Sequence, residues 1–289
     1  MMLPSSSTAA RTAVVSWRAQ KAAARREETA GITIVDAGDM PQELVPEEPL
    51  SILVQGKPYA VVMRTPGDEL AHAAGFCLAE GIVDGPDDLH HIDFCKKEAS
   101  NAVAIALTQA RQALVADRLE RRSYLSQTSC GICGKEVIQD LLQELRPFED
   151  DDDLSITASR VVQCVQSLCA RQAMHRTTKA SHAASLFDAE GRLLSVGEDV
   201  GRHNALDKAV GQLFLTEKLP EARILLVSSR VSFEMVQKAA RARIPILLAL
   251  SHPTALAVEL AETLRMTVIT IRGNTRLTVY CGGQRVRRD

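Results

Sequence analysis

Between residues 224 and 271 short apolar runs alternate with amphipathic stretches, and this alternation restricts the fold more than any other feature of the chain. Ile224–Val227, Ile246–Leu250 and Thr267–Ile271 are short, mostly apolar runs of strand length. Residues 232–242 and 254–265, between them, carry apolar residues at helical spacing. Strands apolar on both faces and separated by helices are the pattern of parallel β-α-β crossovers, with a sheet covered on both sides. Upstream, Ala184–Asp188 and Arg192–Val196 read as a hairpin around Ala189-Glu190-Gly191. Gly197–Asn204 then leads into a helix with Leu206, Ala209, Val210, Leu213 and Phe214 on one face.

The first half is less regular. Leu50–Val54 and Tyr59–Arg64 read as strands around a Gln55-Gly56-Lys57-Pro58 turn. Thr65-Pro66-Gly67-Asp68 opens a helix through Leu70, Ala74, Cys77 and Leu78, with Thr65 or Asp68 as its cap. Asn101–Leu107 is a further strand, and the polar stretch Arg118–Ser129 reads as a mobile loop. Cys130-Gly131-Ile132-Cys133-Gly134 follows it, ahead of Val137, Ile138, Leu141, Leu142 and Leu145 at helical spacing. The acidic run Glu149–Asp153 marks a solvated boundary, and a helix from about Thr157 to Met174 opens the second half. The division is a disordered basic tail over 1–30, a smaller α+β subdomain over 31–153 and an α/β subdomain over 154–289.

A net charge of −2 supplies no broad attraction to nucleic acid or anionic membrane. One Trp, three Tyr and six Phe leave little for a base-stacking surface. No apolar run approaches the ~20 residues that span a bilayer. Residues 1–26 are basic but lack the apolar core of a secretory signal. With seven cysteines, an odd number, a reducing compartment is expected, which leaves thiol chemistry open.

The β-α-β pattern puts three polar turns at one edge of the sheet: Ser228-Ser229-Arg230, Ser251-His252-Pro253-Thr254 and Arg272-Gly273-Asn274-Thr275-Arg276. Open α/β sheets bind ligands outside the carboxyl ends of their strands. Helix N-termini there suit phosphate, and Arg230, Arg272 and Arg276 add charge and fork geometry. Singly, a Ser or Thr is more often a helix cap and an arginine a solvated charge; the convergence of three turns favours an anion site. The densest polar patch is Gly197-Glu198-Asp199-Val200-Gly201-Arg202-His203-Asn204. Its structural explanation is Asn204 as a cap with a Glu198–Arg202 ion pair; its functional one is a cleft that His182 also faces. A thiolate of the Cys130/Cys133 pair near a helix start and beside Lys135 is favoured in its charged form, as a nucleophile requires. Structural zinc would need further ligands at suitable spacing, and a zinc deaminase would need His-x-Glu with Pro-Cys-x-x-Cys; neither pattern is present.

Ser129-Cys130-Gly131-Ile132-Cys133-Gly134 and Gly197-Glu198-Asp199-Val200-Gly201-Arg202-His203-Asn204-Ala205-Leu206-Asp207-Lys208 resemble the formate dehydrogenase accessory sulfurtransferase family (FdhD). Thr65-Pro66-Gly67-Asp68, Glu234-Met235-Val236 and Pro253-Thr254-Ala255-Leu256-Ala257 extend the likeness over roughly residues 45–282. Ser228-Ser229-Arg230 departs from it where Ser-Gly-Arg is frequent. The resemblance implies a cytidine-deaminase-like α/β fold, a mixed sheet with covering helices, in a cytoplasmic homodimer. It implies sulfur transfer from a cysteine desulfurase to the molybdenum cofactor in its bis-guanine-dinucleotide form, in the service of formate dehydrogenase. Cys130 would carry the persulfide and Cys133 would assist. Ile271, Arg272, Gly273, Asn274, Thr275 and Arg276 would contact the cofactor, with Arg230, His203, Asn204 and His182 around it. No resident metal, nucleic acid or membrane partner is expected. A non-catalytic chaperone for the guanylated cofactor and a thiol-disulfide oxidoreductase stand as alternatives.

Overall fold

The computed structural model describes residues 42–95, 101–122, 145–149, 154–273 and 276–288, with strand backbone at 15–17, 28–29 and 32–33. Cys130, Cys133, the helix expected after them, Asn274, Thr275 and most of the basic tail lie outside those residues.

The first sheet is four-stranded. It is formed by β1 (Glu48–Val54), β2 (Lys57–Arg64), β3 (Leu89–Phe94) and β4 (Ala102–Leu107), in the order β2-β1-β4-β3. Gln55 and Gly56 both take positive φ, 52° and 74°, as a two-residue turn matched to strand twist requires. Helix α1 (Glu69–Ala79) has Asp68, one of the two expected caps, at its N-cap position, but no side-chain bond caps it. Asp68 is left-handed with φ 57° and makes no side-chain cap bond, while the Thr65 hydroxyl accepts from Val200 N–H at 3.1 Å. After β4 come α2 (Gln109–Leu114) and α3 (Ala116–Arg122). The second corrects the expected loop over residues 118–122, where Arg, Leu and Glu are good helix formers and Leu119 packs on the core; the rest of that loop lies outside the described residues.

The second sheet has six strands. They are β5 (His182–Phe187), β6 (Leu193–Asp199), β7 (Ile224–Val227), β8 (Ile246–Ala249), β9 (Thr267–Arg272) and β10 (Arg276–Cys281). Their order is β6-β5-β7-β8-β9-β10. β7, β8 and β9 are parallel, as the alternation predicts; β5 and β10 run antiparallel to β7 and β9, so the sheet is mixed. The hairpin of β5 and β6 extends to a His182–Asp199 pair, which turns Gly197-Glu198-Asp199 from loop into strand.

Both faces of this sheet are covered, as continuous apolar strands require. Leu225, Val227, Leu247, Ala249 and Val268 face a core shared with α6 (Arg202–Leu215), α7 (Phe233–Arg241) and α8 (Ala255–Thr263). Ile224, Leu226, Ile246, Leu248, Ile269 and Ile271 face Val161, Cys164, Val165 and Leu168 of α4 (Ala158–Arg171). The single helix expected to reach Met174 breaks at Gln172, where α5 (Ala173–Thr178) begins. The first core also takes in Leu50, Ile52, Val103 and Ile105, so the two sheets share it. Helices α1 and α6 join them by a close crossing. A methyl on Gly75 would strike the Asp207 carbonyl, and one on Gly211 the Ala71 carbonyl. Only glycine at these two positions lets the helix backbones meet, and that contact presses the Thr65 turn against the start of α6.

Candidate functional site at the carboxyl edge of the six-stranded sheet

Topology gathers the polar turns. The carboxyl ends of β7, β8 and β9 share one edge, and because β5 runs antiparallel to β7, His182 starts there too. Ser228 pins the junction: its N–H donates to Ala183 O and its hydroxyl accepts from Ala183 N–H, both at 2.9 Å. Thr254 N–H donates to Val231 O at 3.0 Å, tying the first turn to the second. His252 Nδ1 lies 2.9 Å from the Tyr280 hydroxyl on β10. The N-termini of α6, α7 and α8 open on the same edge, so their free N–H groups add positive potential. From β5 to β9 is three strand spacings, roughly 14 Å.

The Gly197–Lys208 string divides into two groups with different tasks, and most of it forms an interior clamp. Glu198 accepts from Met174 N–H at 3.0 Å, His175 N–H at 2.7 Å and the Ser181 hydroxyl at 2.7 Å, which anchors α5. The expected Glu198–Arg202 pair is thereby replaced. Asp199, with no exposed surface, accepts from Gly201 N–H at 2.8 Å and Asn204 Nδ2 at 2.9 Å on one oxygen. Its other oxygen accepts from Thr65 N–H at 3.0 Å and pairs with Lys208 Nζ at 2.7 Å. Lys208 also donates to Thr65 O at 2.7 Å. Lys238 Nζ, 2.7 Å from Asp207 Oδ1, forms a second interior pair. Burial pushes the Asp207 carboxyl up, against the pull of Lys238. His72 on α1 lies in the same interior; burial, then Lys208, Lys238 and Arg64, push it well below the ordinary histidine value, so it is neutral.

Asn204 belongs to this clamp. Its amide donates to Met63 O at 2.7 Å as well as to Asp199, and the residue is buried. Gly201, not Asn204, is the N-cap of α6. Two ionic side chains and an amide satisfied internally are unlike a ligand contact, since their hydrogen-bonding capacity is already filled by the protein.

Arg202 and His203 form the second group, with His182 of β5 beside them. Burial, then Arg202, His175 and His203, lower the pKa of His182, which keeps that ring neutral. Across from α6, Glu234 in the first turn of α7 brings Oε2 to 3.0 Å from His203 Nε2. The approach is close enough for an ion pair, although the Nε2 hydrogen is not aligned on the oxygen as a hydrogen bond. His203, against the opposition of burial, and then Arg202 hold the Glu234 carboxyl below its ordinary value. Arg230 is exposed in the first turn. At the far end Arg272 and Arg276 are exposed and face each other across the β9–β10 hairpin, around Gly273 with φ 59°. Ile271 is different: its side chain is buried against α4 and offers the edge only backbone. The edge therefore presents cations at both ends of a span long enough for an extended, multiply charged ligand.

Among the described residues no group of three or more His, Cys, Asp or Glu converges as a metal site. Nor does any described helix have the length and apolarity to cross a membrane.

Residues 45–287 match the family described as FdhD/NarQ. The chain belongs to the FdhD/NarQ family. Relatives in it include proteins named sulfur carrier protein FdhD. The one from Streptomyces coelicolor is 40% identical over 252 residues, covering 85% of this chain and 89% of the relative. Its counterpart from Bordetella bronchiseptica is 37% identical over 253 residues, covering 88% and 90%. A crystal structure of a candidate formate dehydrogenase accessory protein from Desulfotalea psychrophila superposes with TM-score 0.69. At 21% identity over 91% of this chain and 97% of that one, the superposition shows a shared fold. The FdhD/NarQ membership anticipated from the Cys-Gly-Ile-Cys and Glu-Asp-Val-Gly-Arg-His-Asn strings is thus established, as is the α/β architecture with its mixed sheet.

Sequence reasoning passed over Glu234, Asp207, Lys208 and Lys238 as parts of one polar system. The available signal was charge on the apolar face of a helix: Asp207 and Lys208 lie among Leu206, Ala209 and Val210, where only paired ions are tolerated.

Proposed function

We propose that this chain is a sulfur carrier: Cys130 accepts a persulfide sulfur from a cysteine desulfurase and passes it to the guanylated molybdenum cofactor destined for formate dehydrogenase. The observation that carries the reading is the carboxyl edge itself. Arg202, His203 and Arg230 at one end and Arg272 and Arg276 at the other, with helix N-termini between, suit the separated phosphates of a large dinucleotide ligand. Membership in a family whose relatives are named sulfur carriers supports the chemistry at the Cys-x-x-Cys motif. Loading is a thiol exchange. The Cys130 thiolate attacks the outer sulfur of the donor's persulfide, the donor's S–S bond breaks, and the donor thiolate leaves. Release follows when the Cys133 thiolate attacks the inner sulfur of the Cys130 persulfide. The two cysteines then hold a disulfide, and the outer sulfur departs as sulfide with the electron pair of the broken bond. A dithiol reductant must reduce that disulfide before the next cycle.

Mass spectrometry after incubation with a cysteine desulfurase and cysteine tests the reading. A gain of one sulfur on wild type, absent from Cys130→Ala, is the expected result. If Cys130→Ala still sustains formate dehydrogenase activity, the protein delivers the cofactor without carrying sulfur on that thiol.

A further inference from the structure

His203 is a residue of the edge that lies directly against a carboxylate. Glu234 lies 3.0 Å from His203 Nε2, and the two side chains are 25% and 27% exposed. Nε2 is buried on the side of α7, while Nδ1 makes no hydrogen bond with any described group. The Ser232 hydroxyl, 3.4 Å from Glu234 Oε2, steadies the carboxylate. From this geometry, and resting on the anion-binding reading above, we propose that Glu234 is a positioning residue that holds His203 as an imidazolium with Nδ1–H turned to the edge. The oxyanion of the ligand is then gripped by a cation that depends on a proton.

The charges around the ring explain why Glu234 is needed. Arg202 stands beside the ring at the start of the same helix, and burial, then Arg202, His175 and His203, keep His182 from β5 neutral. Asp207, one turn further along α6, is paired with Lys238 and interacts with the His203 ring as a lesser, more distant charge. That leaves Glu234 from α7 as the acid in contact with the ring among the described residues. A neutral ring protonated on Nε2 would present the Nδ1 lone pair to a phosphate and repel it; the imidazolium donates instead. Binding a phosphate therefore takes up one proton from solvent on the ring whenever the free protein holds it neutral. The lowered carboxyl of Glu234, with His203 as its first cause and burial opposing, is the same interaction seen from the acid.

Calorimetric titration of the full-length protein with inorganic pyrophosphate, at about pH 6 and about pH 8, tests the idea. Wild type should bind roughly tenfold more tightly at the lower pH, beyond the change in His203→Gln, which reports the ligand's own protonation. Glu234→Gln keeps the shape and removes the charge; its affinity at about pH 7 should fall about tenfold, with the pH dependence displaced to lower pH. Glu234→Asp should recover part of the loss. Wild-type affinity and pH dependence in Glu234→Gln, with an unchanged Tm, overturn the proposal. Should wild type bind no pyrophosphate at either pH, the anion edge itself is wrong, and ring ¹⁵N spectra decide the status of Glu234 alone. A His203 ring that titrates at lower pH in Glu234→Gln retains the pair, whereas an unchanged titration removes it.

Discussion

Replacing Asp199 by Asn tests whether the polar string works as a clamp. The carboxylate has no exposed surface and receives four contacts: Gly201 N–H at 2.8 Å, Asn204 Nδ2 at 2.9 Å, Thr65 N–H at 3.0 Å and Lys208 Nζ at 2.7 Å. Asparagine is nearly isosteric, but its amide can serve only one of the two donor pairs. Whichever way it turns, an NH₂ group meets two other donors. Lys208, only 1% exposed, loses its counter-ion in either orientation, and with the NH₂ group turned towards it keeps a single acceptor, Thr65 O at 2.7 Å. Breaking a buried pair from one side costs about 3–5 kcal/mol. For a chain of this size the loss corresponds to a Tm lower by roughly 10 °C. Differential scanning calorimetry and urea unfolding should both show it. Asp199→Asn combined with Lys208→Met removes the stranded charge and should recover a substantial part of the loss, because an apolar replacement of a buried pair is often tolerated. If Asp199→Asn unfolds within about 1 kcal/mol of wild type, the ionic clamp is not what holds the Thr65 turn to α6.

Two further outcomes follow from the electrostatics. Burial opposes ionisation of Asp84, yet Arg111 and then Arg241 outweigh it and hold the carboxyl below its ordinary value. A carboxyl lowered on folding contributes stability above its unfolded value and loses it as pH falls through the folded one. The Tm gap between wild type and Asp84→Asn should therefore be full at neutral pH and close as the pH drops below about 4; a gap that widens in acid contradicts the assignment. The thiols make a second test, because burial pushes Cys164 up to about 12, raises Cys281, and leaves Cys77 with no exposed surface. Peptide mapping after brief treatment of native protein with a disulfide reagent should find Cys169, which is exposed, modified and these three untouched until denaturant is added. Equal modification of Cys164 and Cys169 would show that the α4 face of the sheet opens readily.

Local pattern made a large part of this fold legible. Ile224–Val227, Ile246–Leu250 and Thr267–Ile271 carry apolar side chains on both faces, and a strand with that composition has to be central and covered twice wherever it falls in the chain. Parallel neighbours follow from the intervening helices, and parallel neighbours bring their carboxyl-end turns to one edge, so the position of the candidate site was legible in the sequence. The turn at Gln55-Gly56 was equally local, although Lys57 and Pro58, read as part of it, already belong to β2. By contrast β3 and β10 carry mixed apolar and polar residues, and they become strands only because a neighbouring strand offers them hydrogen bonds.

Tertiary structure alone decided what the Gly197–Lys208 string does. Composition marks it as important but does not say which side chains turn inward. Asp199 finds its acceptor role because Thr65, 134 residues earlier, is brought against it where Gly75 and Gly211 let α1 and α6 touch. The same packing turns Asn204 and Lys208 inward and leaves Arg202 and His203 at the edge, where Glu234 arrives from a different helix. A sequence specifies its own periodicities through local sterics and the burial of apolar surface, which depend on near neighbours. The direction of a charged side chain depends on which distant group meets it when the core closes, and that is a property of the folded chain.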